Sequence, residues 1–267
     1  MSQRRRLDSE LVRRGLAPSR EAAREAVEAG KVTVGGAPAA KPARLVAADE
    51  AIVVAGPPPR FVGRGGEKLD AAVVHFAIPV AGRRALDAGA STGGFTDCLL
   101  QHGALEVVAV DVGHGQLDDR LRRDARVRVM ERRNIRHVTS DDVGGPFDLV
   151  TADLSFISLR TVLPQLVALL AGDGDGVLLV KPQFEAGRAE TSRGGGVIRD
   201  PAVWRRVLDE VRSALSACGA IMMGVMVSPL RGADGNVEFL AHVSLTGEAG
   251  VTDTDLDAVI VAAGRGA

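Results

Sequence analysis

The sequence predicts a doubly wound α/β domain preceded by a small α+β head, and three observations predict it. From about residue 80 onward, short apolar runs alternate with helical stretches, the pattern of a mostly parallel sheet covered by helices. The first of these runs passes directly into a glycine-rich turn, Asp87-Ala88-Gly89-Ala90-Ser91-Thr92-Gly93-Gly94-Phe95-Thr96. Upstream, Gly56-Pro57-Pro58-Pro59 breaks all regular structure and reads as a stiff linker. A length of 267 residues accommodates both bodies. The expected division is a head over 1–59, a linker over 60–64 and a larger domain over 65–267.

The head begins with a short helix over 8–14, with Asp8 as its N-cap and Gly15 as its stop. Pro18-Ser19 starts a second helix, capped by Ser19 and ended by Gly30. Its inner face is Ala22, Ala23, Ala26 and Val27. A period-2 strand from Lys31, a Gly35-Gly36 turn and a second extended run form a hairpin, and 49–54 adds a final strand. In the body, strands are expected at 85–87, 107–111, 126–130, 147–152, 177–181, 221–227 and 237–244. Asp200-Pro201 starts a helix that runs through Ala217 to Gly219, with Trp204 packed inward, and 248–267 offers a weak terminal helix.

Composition excludes several classes. Apolar residues make up 46% of the chain, yet it has seven Phe, one Trp and no Tyr, so the core is built from Ala, Val and Leu. The two cysteines, Cys98 and Cys218, are too few for a disulfide scaffold or a zinc site. His75, His102, His114, His137 and His242 show no metal spacing. The basic start, Met1 to Arg6, is followed by Leu7-Asp8-Ser9-Glu10 where a signal peptide would be apolar. The longest apolar stretches, 71–80 and 161–171, are interrupted by His75, Pro79, Pro164 and Gln165, and neither reaches the ~18–20 residues of a membrane span. The expectation is a soluble cytoplasmic protein that does not engage membranes.

The formal net charge of -1 hides an asymmetry. Residues 1–60 carry 11 Lys/Arg against 7 Asp/Glu, leaving 22 against 27 for the remainder. A basic head on an acidic body points to a polyanionic partner for the head.

In a doubly wound sheet the ligand crevice lies beyond the carboxyl ends of the strands. Asp87, Asp111, Asp153 and Lys181 all sit at such ends. The spacing of Gly89, Gly93 and Gly94 is not that of dinucleotide enzymes. With Asp87 before it and Asp111 placed 24 residues on to accept from a ribose, the turn reads as an S-adenosylmethionine site. Asp87, Gly89, Ala90, Ser91, Thr92, Gly93, Gly94, Phe95, Asp111 and Asp153 are its candidate residues, with Asn134 at the adenine edge.

Four charged residues occupy otherwise structural contexts: Lys68 in Arg64-Gly65-Gly66-Glu67-Lys68-Leu69, Asp153 in Ala152-Asp153-Leu154-Ser155-Phe156, Lys181 in Val180-Lys181-Pro182-Gln183-Phe184-Glu185, and Glu238 in Val237-Glu238-Phe239-Leu240. A lysine after Gly-Val-Leu-Leu-Val is costly without a partner or a task. Singly each reads as an ion-pair partner, but jointly they make a specific signal.

Residues 4–55, with Arg-Leu-Asp, Arg-Gly-Leu, Ser-Arg and Ala-Gly-x-Val-x-Val-x-Gly, resemble the S4 RNA-binding domain. That resemblance implies a helical face that docks structured RNA through its phosphates. Arg4, Arg5, Arg6, Arg13, Arg14, Arg20, Arg24 and Lys31 are available for it, with Arg64 at the start of the body. The Lys68, Asp153, Lys181 and Glu238 set resembles the Lys-Asp-Lys-Glu tetrad of FtsJ (RrmJ)-type ribose 2′-O-methyltransferases, which implies a Rossmann-like class I methyltransferase fold with a seven-stranded sheet. Head and body together are similar to the TlyA family of rRNA methyltransferases, also called hemolysins, over residues 4–244. Arg-Gly-Gly-Glu-Lys-Leu, Ala-Asp-Leu-Ser-Phe-Ile-Ser and Lys-Pro-Gln-Phe-Glu are the most specific pieces.

The resemblance implies 2′-O-methylation of cytidine in ribosomal RNA of the small or large subunit. S-adenosylmethionine would be consumed and S-adenosylhomocysteine released, without a metal and without an obligate protein partner. A ribose 2′-hydroxyl is a poor nucleophile, so the site must align it and ease the loss of its proton. Lys181 is the expected contact to that oxygen, as a neutral base or as a cation. Asp153 orients it, and Lys68 and Glu238 complete the network. Arg193-Gly194-Gly195-Gly196 reads as a mobile loop beside the site, available to clamp RNA, and the segment before it departs most from the family pattern.

Three other readings compete: a membrane-active hemolysin, a non-catalytic RNA-binding or ribosome-assembly factor, and a nicotinamide dehydrogenase. The lack of a spanning or cationic amphipathic segment, the intact tetrad and the glycine spacing respectively count against them.

Overall fold

The computed structural model describes residues 4–17, 20–56, 59–187, 190–191, 195–232, 234–247 and 249–265. The expected cap Ser19 with Pro18, the Pro57-Pro58 break and the Arg193-Gly194 part of the glycine loop lie outside the described residues. Packing divides the chain into one unit over Met1–Arg64 and another over Gly65–Ala267. Residues 60–64, read from sequence as linker, fall in the first unit, and Phe61 and Val62 are buried.

In the first unit, α1 (Leu7–Arg13) and α2 (Arg20–Glu28) pack beside short strands. The strands β2 (Val32–Val34), β3 (Ala37–Pro38) and β5 (Ile52–Val54) form an antiparallel sheet in the order β3-β2-β5. A strand unforeseen from sequence, β1 (Arg5–Arg6), pairs antiparallel with β4 (Leu45–Val46). Leu7, Leu11, Ala23, Val27, Val32 and Val34 fill the core between helices and strands. Ala23 and Val27 are four apart, so both face inward on one helical stripe.

Asp8 does not cap its helix. It lies inside α1, is fully buried and receives Arg6 Nη2 at 2.8 Å and Arg20 Nη2 at 3.2 Å. Hydrogen bonds from Arg6 hold its carboxyl well below the usual carboxylate range. Glu10 is equally buried, and Arg13 first, then Arg14, lower it to about 2. A tertiary arginine cluster thus outcompetes the local capping preference.

The second unit is a seven-stranded sheet in the order β11-β12-β10-β9-β6-β7-β8. Its strands are β6 (Arg84–Ala88), β7 (Glu106–Val110), β8 (Val127–Met130), β9 (Phe147–Ala152), β10 (Leu170–Val180), β11 (Ile221–Val227) and β12 (Phe239–Ser244). The five strands β6 to β10 pair in parallel, and β12 runs antiparallel to both β10 and β11. Each strand expected from sequence is present. The largest shift is at β10, which starts seven residues early and carries a register irregularity between Leu170 and Asp175.

Helices α3 (Gly65–His75), α4 (Gly94–Gln101), α7 (Leu159–Ala168), α9 (Pro201–Ala217) and α10 (Asp253–Arg265) cover the sheet, with shorter turns α5 (Asp119–Arg122), α6 (Ser140–Val143) and α8 (Pro182–Glu185) between. α9 buries Trp204, Val207, Leu208, Val211 and Leu215, an i, i+3, i+4, i+7, i+11 stripe. Trp204 Nε1 donates to the Ile198 carbonyl at 3.1 Å. Asp200 caps the helix by accepting from the Ala202 amide at 2.9 Å, ahead of Pro201. Asp200→Ala is therefore expected to lower unfolding free energy by ~1 kcal/mol, measured as a lower urea midpoint at unchanged slope. Among the described residues, no helix is long and apolar enough to cross a membrane.

Candidate active site

The sheet order reverses beside β6: the next strand in sequence, β7, lies on one side and β9 on the other. Loops leaving β6 and β9 therefore diverge, and a crevice opens at their carboxyl ends. The two loops are also tied together. The Asp153 amide donates to the Ala88 carbonyl at 3.0 Å, while the Gly89 amide ties the β6 loop to the end of β7 by donating to the Val110 carbonyl at 2.8 Å. Gly89 has φ 87°, and a Cβ there would stand 2.4 Å from the Asp153 carbonyl oxygen, so the crossing requires glycine.

A cavity of about 650 Å³ occupies this crevice. Gly89, Ser91, Asp111, Asn134 and Asp153 line it, together with apolar walls from Val110, Val112, Ile135, Leu154 and Ile157. Ala90 lines a smaller recess beside it. The other loop candidates, Thr92, Gly93, Gly94 and Phe95, do not line the cavity. A Cβ on Gly93 would collide with Leu121 at 2.2 Å, so that glycine serves helix packing.

Asp111 accepts from the Ser91 amide at 2.8 Å and the Gly113 amide at 2.6 Å. Each oxygen keeps capacity for a further donor. Glu131, on the far side of that loop, is consumed by Arg122, His114 and the Gly115 amide, and Arg122 foremost lowers its carboxyl to about 2. Asn134 accepts from the Arg136 amide at 3.1 Å.

Asp87 is fully buried behind the cavity. Thr96 Oγ1 donates to its Oδ2 at 2.6 Å, while its Oδ1 has no partner. Burial foremost, helped by the charges of Asp153 and Asp111, pushes the carboxyl up from 3.8 to about 7. The native state then binds a proton that the unfolded chain has released. This contribution to stability is present at low pH and is lost as pH rises from about 4 through about 7. Asp87→Asn is expected to flatten the stability–pH curve of the ligand-free protein in that window, as measured by urea melts at several pH values.

The four charged residues form two pairs. Lys68 Nζ, from α3, donates to Glu238 Oε2 at 2.6 Å, with side chains 9% and 3% exposed. Lys181 Nζ lies 2.5 Å from Asp153 Oδ1, outside hydrogen-bond alignment, and donates to Ser155 Oγ at 2.9 Å. Sheet register brings the pairs together. Val180 faces Phe239 across β10 and β12, so Lys181 and Glu238 are the next residues along the two strands. Sequence reasoning named all four but missed Ser155, which contacts Lys181 and lines the cavity. It also missed Phe156, which is 93% exposed on the cavity rim with its ring 5.3 Å from Phe184. Phe156 has φ 64°, a backbone strain that no residue pattern signals.

The head candidates divide by contact. Arg4, Arg6, Arg13, Arg20 and Arg64 pair with Glu50, Asp8, Glu10, Asp8 and Glu25 respectively. Arg5, Arg24 and Lys31 are exposed. Arg14 is turned to structural use. It bonds Glu10 and the carbonyls of Glu50, Ala47 and Ala48, which uses four of its five donors. Although the histidine spacings carry no metal pattern, the fold gathers Asp70, Cys98 and His102. There His102 Nε2 and Asp70 Oδ1 already satisfy each other at 2.7 Å.

The sequence profile of the FtsJ-like methyltransferases matches residues 61–245, the span that builds this sheet, cavity and pair of ion pairs. The chain belongs to the FtsJ-like methyltransferase family. An S4 domain profile matches residues 5–52 ahead of it. The 16S/23S rRNA (cytidine-2′-O)-methyltransferase TlyA of Mycobacterium tuberculosis is 53% identical over 240 residues, covering 90% of this chain and 89% of that protein. Hemolysin A of Brachyspira hyodysenteriae is 40% identical, covering 89% and 98%. A solved structure of a candidate hemolysin from Streptococcus thermophilus superposes with a TM-score of 0.80 at 38% identity, over 99% of this chain and 97% of that one. This FtsJ-like chain thus combines a methyltransferase domain with an S4 domain along a length its relatives share.

Proposed function

We propose that this FtsJ-like protein methylates the ribose 2′-hydroxyl of a cytidine in ribosomal RNA, using S-adenosylmethionine. The observation that carries the reading is the set of two lysine–carboxylate pairs brought together at the sheet ends, one of which reaches the cavity through Asp153. The relatives' names and the S4 match support ribosomal RNA as the substrate.

The cavity fits the methyl donor by its chemistry. Asp111 offers carboxylate oxygens for a ribose diol, and Val110, Val112 and Ile135 offer apolar walls for a purine, with Asn134 at its edge. Asp153 supplies negative charge suited to a cationic ligand. When bound, S-adenosylmethionine supplies a methyl group already activated by the sulfonium charge. Lys181 does the work on the acceptor side. We take Lys181, which donates to Ser155 Oγ and lies against the Asp153 carboxylate, to act as a cation that holds the 2′-oxygen and stabilises negative charge there. No strong base is then required, because water can take the hydroxyl proton once the lysine charge has made that oxygen more acidic. Asp153 orients Lys181, while Lys68 and Glu238 keep the neighbouring charge balanced. Phe156 offers an exposed aromatic face on which an unstacked base can lie. Arg5, Arg24 and Lys31 supply phosphate contacts.

The test is transfer of labelled methyl from S-adenosylmethionine to 30S and 50S particles lacking the modification. Incorporation into either particle supports the reading and identifies the substrate. A protein that binds S-adenosylhomocysteine yet labels neither particle contradicts it.

A further inference from the structure

We infer that Glu185 is a positioning residue, a buried carboxylate that locks the loop carrying Asp153, Ser155 and Phe156 onto the turn carrying Lys181. The inference rests on the reading of Lys181 and Asp153 given above.

Glu185 ends α8, the single turn that begins directly after Lys181. Its side chain reaches the start of α7, the helix that follows the Asp153 loop. Oε1 accepts from the Leu159 amide at 2.5 Å, and Oε2 accepts from Ser158 Oγ at 2.6 Å and Arg160 Nε at 3.1 Å. Arg160 closes the ring by donating to the Glu185 carbonyl at 3.0 Å and to Glu210 on α9 at 2.6 Å. Ser158 is the N-cap of α7, but its side chain makes no capping bond to its own helix. The unsatisfied amide and the positive end of the helix are served instead by a carboxylate 26 residues downstream. Glu185 is itself buried, so its oxygens have these donors rather than water.

The loop is therefore pinned at both ends: at Asp153 by the Ala88 carbonyl, and at Ser158 and Leu159 by Glu185. Between the pins lie Ser155, which receives Lys181 Nζ, and Phe156, held at positive φ against Phe184. Lys181 precedes the same short turn that Glu185 ends, and Phe184 lies within it. One carboxylate thus fixes the lysine and its two partners relative to each other, at a site where small misplacements cost rate.

The experiment compares Glu185→Ala and Glu185→Gln with wild type in the full chain. The readouts are amide hydrogen exchange over 154–159, S-adenosylhomocysteine affinity, and kcat and KM for RNA methylation. In Glu185→Ala, exchange at Leu159 is expected to accelerate and kcat to fall by at least about tenfold, with KM for RNA moving by less than about threefold. Glu185→Gln keeps a carbonyl for the Leu159 amide and an NH₂ that can donate to Ser158 Oγ, but it cannot accept from Arg160 Nε, and should recover part of both losses. Ser158→Ala removes one partner and should give a smaller loss of kcat with the fold intact. It carries the test if Glu185→Ala does not fold. Unchanged exchange overturns the inference, as does faster exchange at wild-type kcat, or a glutamine variant as slow as alanine. If wild type itself transfers no methyl to RNA, the reading of the reaction fails, while the exchange measurement still decides the clamp.

Discussion

Lys181→Ala is expected to lower kcat for RNA methylation by roughly 10²- to 10⁴-fold, with S-adenosylhomocysteine affinity nearly unchanged. The separation follows from placement. Lys181 Nζ meets Asp153 and Ser155 at the edge of the cavity but is not among the residues that line it. Removing it leaves Asp153 partly open to solvent, so that carboxylate is hydrated rather than stranded. Lys181→Arg should not restore the rate, because a planar guanidinium cannot present the same compact charge between Asp153 and Ser155. The pH profile discriminates the two roles open to a lysine. As a cation it gives a rate that does not climb tenfold per pH unit through the neutral range. As a neutral base it would give that slope up to the lysine pKa. A flat profile for wild type is the expected result.

Glu238→Ala should have the largest effect on stability. Lys68 and Glu238 are both nearly inaccessible and meet at 2.6 Å, so truncating one leaves a buried charge without its counter-charge. The expected cost is ~3–5 kcal/mol, seen as a fall in Tm of roughly 10 °C for a unit of this size. The double variant Lys68→Met with Glu238→Leu removes both charges at similar volume and should regain most of that stability. It should not regain methyl transfer, because the charge balance beside Lys181 is gone. A stable and fully active double variant would make the pair purely structural.

The two pairs also mark the limit of what the residues reveal on their own. Each of the four was legible because a charge beside a buried strand is costly and so needs a reason. The pairing of Lys181 with Asp153 and of Lys68 with Glu238 came from the family resemblance. Sheet register alone does not give it, because the register that ends with Val180 facing Phe239 makes Lys181 and Glu238 the next residues along their strands. The strands were legible from alternation with helices, except the start of β10, where Gly172, Gly174 and Gly176 dilute the apolar signal. Asp8 looked like a helix cap because capping is local. Its burial against Arg6 and Arg20 depends on α2 folding back over α1. Ser155, Phe156 and Glu185 lay inside motifs already recognised as specific. Their contacts, however, join loops 25 to 30 residues apart, and spacing cannot rank residues within a motif. Within the glycine loop, spacing likewise cannot rank one glycine against another. Gly89 is needed where the chain crosses the cavity, whereas Gly93 is needed against Leu121.

The most direct test of the central claim is the position of the transferred methyl group. Ribosomal RNA labelled by wild-type protein would be hydrolysed in alkali, which cleaves beside a free 2′-hydroxyl and spares a 2′-O-methylated linkage. Label recovered in an alkali-stable dinucleotide, and absent when Lys181→Ala replaces wild type, is the predicted result. Label recovered in mononucleotides would mean methylation on a base, and would contradict a site built around Lys181 and a ribose hydroxyl.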